Sequence, residues 1–140
     1  MNSLPVYLDT SAIVKLVVAE PETDALLEAL ARWPDRISAA LAEVEVHRAL
    51  RRAGASQTDH ARADSILKGL VLLRLDDFVL TRAAALEGGE LRALDAIHLA
   101  AALTLGDDPD AFITYDARLA RAAAREQLPV LHPGVARLPA

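Results

Sequence analysis

Short apolar runs alternate with helix-length stretches along this chain, and that alternation restricts the folds open to it more than any other feature. Runs at 5–8, 36–39, 70–75, 112–114 and 130–131 are too short for helices and suit buried strands, 36–39 being the weakest and 70–75 also fitting a helix continuation. Between them the helix signals are regular. Asp9, Thr10 and Ser11 offer capping oxygens before a helix at 12–18. Pro21 suits a first helical position, followed by Glu22 and Asp24, and that helix runs to the break at Trp33-Pro34. A third helix at 41–53 closes at Gly54, and Thr58 is positioned to cap a fourth that Gly69 ends. Asp76 or Asp77 caps a helix to Leu86, Gly88-Gly89 breaks the chain, and 91–105 is apolar nearly all round, as expected of a central helix. A helix at 117–125 precedes the last strand. Strand and helix in alternation predict an α/β sandwich with a mainly parallel sheet.

Composition narrows the chemistry. A chain of 140 residues, 53% hydrophobic and 25% charged, is expected to form one globular domain over 1–140. No apolar run is long enough for a membrane span, and the N-terminus lacks the pattern of a signal peptide, so the expected location is cytoplasmic. Cysteine is absent, so any bound metal must be held by oxygen or imidazole, which favours hard cations. The net charge of −5 argues against a nonspecific nucleic-acid coat but not against a nucleic-acid enzyme. All but Lys15 and Lys68 of the 15 basic residues are arginine, suited to bidentate phosphate contacts. They cluster as Arg48, Arg51 and Arg52, and as Arg118, Arg121 and Arg125. A solvated helix face is the plain reading of both clusters.

Four acidic residues stand where such a fold collects ligands. Asp9 and Asp116 fall at the carboxyl ends of expected strands, where open parallel sheets bind their ligands. Each could equally serve as a helix cap, as Thr10 or Ser11 could for the first helix. Asp95 is harder to explain as structure, because Leu91, Leu94, Ile97, Leu99 and Leu103 leave little polar face around it and an unpaired buried carboxylate is costly. Glu43 and Glu45 lie on one helix but point about 200° apart, so only one can face a given pocket, and periodicity does not choose between them. Two carboxylates about 4 Å apart repel by about 4 kcal/mol at an effective dielectric near 20, so a cluster of four calls for a cation. Mg²⁺, or Mn²⁺ in its place, resolves that repulsion and is the usual agent of phosphodiester hydrolysis.

At these motifs the chain resembles the PIN-domain ribonucleases, and among them the VapC-like toxins of type II toxin-antitoxin pairs. The matching segments are Leu8-Asp9-Thr10-Ser11, Glu45-Val46-His47-Arg48-Ala49-Leu50, Leu94-Asp95-Ala96-Ile97-His98-Leu99-Ala100, and Thr114-Tyr115-Asp116 followed by Arg118-Leu119. The resemblance implies a PIN-like three-layer α/β/α sandwich and a Mg²⁺- or Mn²⁺-dependent endoribonuclease. Asp9, Glu45, Asp95 and Asp116 would be its catalytic metal ligands, with Glu45 preferred over Glu43 on the motif. Thr10, Ser11 and Thr114 would orient carboxylates or water, and Arg48 and Arg118 would contact RNA. It also implies a cognate antitoxin and a homodimer. Asp107, Asp108 and Asp110 are expected in a solvated turn, and His98 as a packing or hydrogen-bonding residue. His47, His60 and His132 lie in unrelated settings.

Two other classes compete. A phosphotransfer or receiver-type domain also uses an aspartate after its first strand, but Ser11 stands where the phosphatases of that type need a second aspartate, and no late lysine exists. A nonenzymatic regulatory domain with a degenerate acidic site is the other alternative, against which the presence of all four acids counts.

Overall fold

The computed structural model describes residues 4–139. In chain order the elements are β1 (Val6–Leu8), α1 (Thr10–Val17), α2 (Thr23–Leu30), β2 (Arg36–Ala39), α3 (Ala42–Arg52), α4 (Gln57–Lys68), β3 (Val71–Leu73), α5 (Asp77–Ala85), α6 (Ala93–Leu103), β4 (Ala111–Ile113), α7 (Ala117–Arg125) and β5 (Val130–Leu131). The described strands form one parallel sheet in the order β3-β2-β1-β4-β5. Strand order reverses between β1 and its neighbour β4, so a crevice opens at their carboxyl ends.

Alternation along the central strands separates two cores. Val6 and Leu8 of β1, with Ala111 and Ile113 of β4, pack against α1, α2, α3 and α4. Tyr7 and Phe112 point the opposite way, into the layer formed by α5, α6 and α7. That is the period of a strand buried on both faces, and it produces the expected three-layer α/β/α sandwich. Both sheet edges are short, β3 with three residues and β5 with two, which limits edge-to-edge pairing. Among the described residues no helix is long and apolar enough to cross a membrane.

Two local expectations shift, and one open alternative is decided. The helix expected from Pro21 begins at Thr23, whose hydroxyl accepts from Glu20 N and donates to Lys15 O, tying it into the preceding turn. The cap of α4 is Ser56 rather than Thr58: Ser56 and Asp59 exchange hydrogen bonds as a capping box. Asp76 is the cap of α5. Gly54 does take the left-handed conformation, with φ of 68°, as the C-terminal turn of α3 requires.

Candidate active site

Asp9 follows β1 directly, and its amide extends the ladder by donating to Ile113 O. Its side chain caps α1, with Oδ1 accepting from Ala12 N at 3.0 Å, so the carboxylate is aimed across the crevice mouth rather than along the strand. The group is 3% exposed. Two hydroxyls complete its shell: Ser11 Oγ donates to Oδ1 at 2.7 Å and Thr114 Oγ1 to Oδ2 at 2.5 Å. Both hydroxyls have their direction fixed from the loop after β4, because Ser11 Oγ accepts from Tyr115 N at 2.9 Å and Thr114 Oγ1 from Asp116 N at 3.0 Å. Burial raises the Asp9 pKa above the ordinary range, while nearby His98 and these hydrogen bonds pull it back.

Glu45 arrives from the first turn of α3. Its Oε1 accepts from Thr10 Oγ1 at 2.6 Å and lies 2.8 Å from His98 Nε2. Glu43 is exposed and lines a separate cavity of about 590 Å³ with His47, Asp64, Leu67, Lys68, Leu70 and Leu72. The choice that periodicity left open is therefore made by packing. Asp95 lies in the first turn of α6, where a negative charge meets the positive helix end. It is half-buried rather than enclosed, and Leu94, expected to help close it off, is itself 51% exposed. Its pKa is raised to about 6, first by burial and then by the negative charges of Asp116, Asp9 and Glu45, with His98 opposing them. Asp116 caps α7, accepting from Leu119 N at 3.0 Å, and so has a structural role as well as a place in this field.

The four acids thus converge from β1, α3, α6 and the β4–α7 loop onto the crevice at the strand-order reversal. Among the described residues no three His, Asp or Glu side chains already stand at coordinating distance from one point. The set is a shared negative field rather than a formed coordination sphere. Its donors are all oxygen, the chemistry that Mg²⁺ and Mn²⁺ take, and the Asp95 pKa is raised first by burial and then by neighbouring negative charge, which a cation would offset.

The remaining residues sort clearly. Thr10, Ser11 and Thr114 all bond to site carboxylates. Arg48 and Arg118 are exposed on α3 and α7. Asp107 and Asp108 are exposed, and Asp110 is engaged by Trp33 Nε1 at 2.8 Å, so none of these loop acids stands in for Asp116. His47 and His60 do not lie in unrelated settings: their rings stack at 5.0 Å with Nδ1 atoms 2.7 Å apart, and His47 Nε2 meets Asp64 at 2.7 Å. Sequence reasoning missed Tyr7, whose Oη lies 2.7 Å from His98 Nδ1. The available signal was one phenol and one imidazole in otherwise aliphatic buried elements.

Residues 6–125 match the sequence family described as PIN domain. The chain belongs to the PIN-domain family. This PIN domain is 48% identical over 128 residues to the ribonuclease VapC46 of Mycobacterium tuberculosis, covering 91% of this chain and 97% of that protein. Among solved structures it is similar to the crystal structure of M. tuberculosis VapC20, a sarcin-ricin loop cleaving toxin, with a TM-score of 0.73 at 15% identity over 91% of this chain and 99% of that one. A toxin-antitoxin complex from Klebsiella pneumoniae is similar with a TM-score of 0.63 at 21% identity, covering 81% and 88% of the two chains. At those identities the structural likeness speaks for the PIN fold.

Proposed function

We propose that this PIN domain is a Mg²⁺- or Mn²⁺-dependent endoribonuclease, the cytoplasmic toxin of a type II toxin-antitoxin pair, acting as a homodimer and restrained by a cognate antitoxin. The observation that carries the chemistry is the convergence of four carboxylates with Asp95 pushed to about 6 by burial and by its acidic neighbours. Ribonuclease action is supported by the 48% identical relative of that name, and an antitoxin by the toxin-antitoxin complex among the structural neighbours.

Asp9 and Asp95 would hold the ion, with Glu45 and then Asp116 as the further carboxylates of the site. When bound, the ion supplies an acidified water and neutralises charge on the phosphate. Asp9 enters the reaction already oriented, because three donors fix both of its oxygens before anything binds. Asp95 must release its proton to take part. Arg48 and Arg118, exposed on helices that carry site residues, would grip the flanking phosphates. The water oxygen would bond to phosphorus as the bond from phosphorus to the 3′ oxygen breaks, with the proton that the water gives up balanced by one taken on by that oxygen, leaving a 5′-phosphate and a 3′-hydroxyl.

The test is incubation of the purified, antitoxin-free protein with a panel of structured RNAs and Mg²⁺ or Mn²⁺. Asp9→Asn and Asp95→Asn are each expected to lower cleavage by about 100-fold or more, and chelation to abolish it. Cleavage that survives both substitutions, or chelation, rules the mechanism out.

A further inference from the structure

Glu45 presents one oxygen to the protein. Both of its polar contacts, from Thr10 Oγ1 at 2.6 Å and His98 Nε2 at 2.8 Å, fall on Oε1. Thr10 Oγ1 is also 3.1 Å from His98 Nε2, so the three groups form one small network. An ionised carboxylate only accepts, so Nε2 must carry a proton. Behind the ring, Tyr7 Oη lies 2.7 Å from Nδ1. Tyr7 is fully buried and His98 is 1% exposed. The Tyr7 ring is held by stacking on Phe112 with centroids 5.1 Å apart and planes 2° apart. The phenol carries its proton at neutral pH. Its proton needs an acceptor, and the nearby buried hydroxyl of Ser38 makes no hydrogen bond. Nδ1 is the acceptor that remains.

We infer that Tyr7 and His98 form a buried positioning pair for Glu45: the phenol donates to Nδ1, the resulting Nε2–H holds Oε1, and Oε2 is left for the ion or its water. The pair spans from the middle of the central strand through α6 to α3. It therefore ties a site carboxylate to the sheet by a route that does not use the loop after β4. A histidine that merely filled space between β1 and α6 would tolerate any side chain of similar volume. This one should tolerate only a side chain that donates at the Nε2 position. Second-sphere donors of this kind commonly change metal affinity or turnover by about 10- to 100-fold.

The inference rests on the metal reading of the acids, so its experiment separates the two. The first measurement is long-range ¹H–¹⁵N NMR of the histidine side chains in the metal-free, full-length protein. The expected result is a bare Nδ1 and a protonated Nε2 on His98, with the Nδ1 resonance moving in Tyr7→Phe as that nitrogen loses its donor. A proton on Nδ1 in the wild type, or an unmoved resonance in Tyr7→Phe, overturns the pair. The second is Mn²⁺ binding followed by electron paramagnetic resonance. His98→Leu is expected to weaken binding by about tenfold or more, while His98→Gln, whose amide can donate near the Nε2 position, stays within about threefold of wild type. Equal affinities for the Leu and Gln variants overturn the positioning role alone. A wild-type protein that binds no Mn²⁺ overturns the metal reading together with it. Should His98→Leu fail to fold, the wild-type and Tyr7→Phe spectra still decide.

Discussion

Asp95 illustrates how a single carboxyl couples chemistry to stability. Its folded pKa of about 6 lies above its ordinary value near 3.8, so the folded metal-free protein binds this proton more tightly than the unfolded chain does. Its stabilising contribution is complete below about pH 4 and is lost as pH rises through 6. Two outcomes follow. Asp95→Asn should raise the thermal midpoint of the metal-free protein at pH 7.5 by about 2–4 °C and flatten its dependence between pH 4 and 7, as differential scanning calorimetry would report. Mn²⁺ affinity of the wild type should fall by about tenfold per pH unit below 6, because the ion competes with that proton, and Asp95→Asn should remove this dependence. At Glu43 and Glu45 a helical wheel is silent, and only the bonds to Thr10 and His98 single out Glu45. Accordingly Glu45→Gln should cost cleavage by about 10-fold or more and Glu43→Gln should leave it near wild type in the RNA assay. The reverse result would mean that Glu43 turns into the site when RNA or metal binds.

At the level of elements, most boundaries were legible because capping and turn residues announce them locally: β2, α7 and β5 fall at the limits read from the chain. Where local signals conflicted, long-range packing decided. The α4 start was misplaced because Asp59, not Glu or Gln, closes its capping box. The stacking of His47 on His60 was invisible, since nothing in either helix says which helix it will meet. Asp116 separates two roles that the sequence could only state as alternatives. Asn caps as well as Asp, so Asp116→Asn should preserve α7 while Asp116→Ala loses about 1 kcal/mol in chemical denaturation. Lowered cleavage in both variants, with stability lost only in the second, would assign Asp116 to the chemistry as well as the cap. Unchanged cleavage in Asp116→Asn would leave it the cap alone.

Across the molecule, the sandwich was foreseeable from alternation of short and long periods, but the crevice was not, because strand order is a tertiary fact. What makes the site is the adjacency of β1 and β4, which sets Asp9 beside Thr114 across 105 positions of sequence. A ligand that bridges elements brought together only by folding should stabilise the whole unit. At 100 times its dissociation constant, Mn²⁺ is expected to add about 2.7 kcal/mol to unfolding free energy, and the Asp9→Asn, Asp95→Asn double variant should show no such gain. The three consecutive residues Tyr7, Leu8 and Asp9 carry a further consequence. Leu8 anchors one core, Tyr7 the other, and Asp9 the crevice, so a slip of one position in β1 would exchange the two hydrophobic layers and carry the carboxylate away from its partners. Mispaired copies would therefore lack an assembled crevice, and quality control over the site would be written into the pairing of a central strand only three residues long.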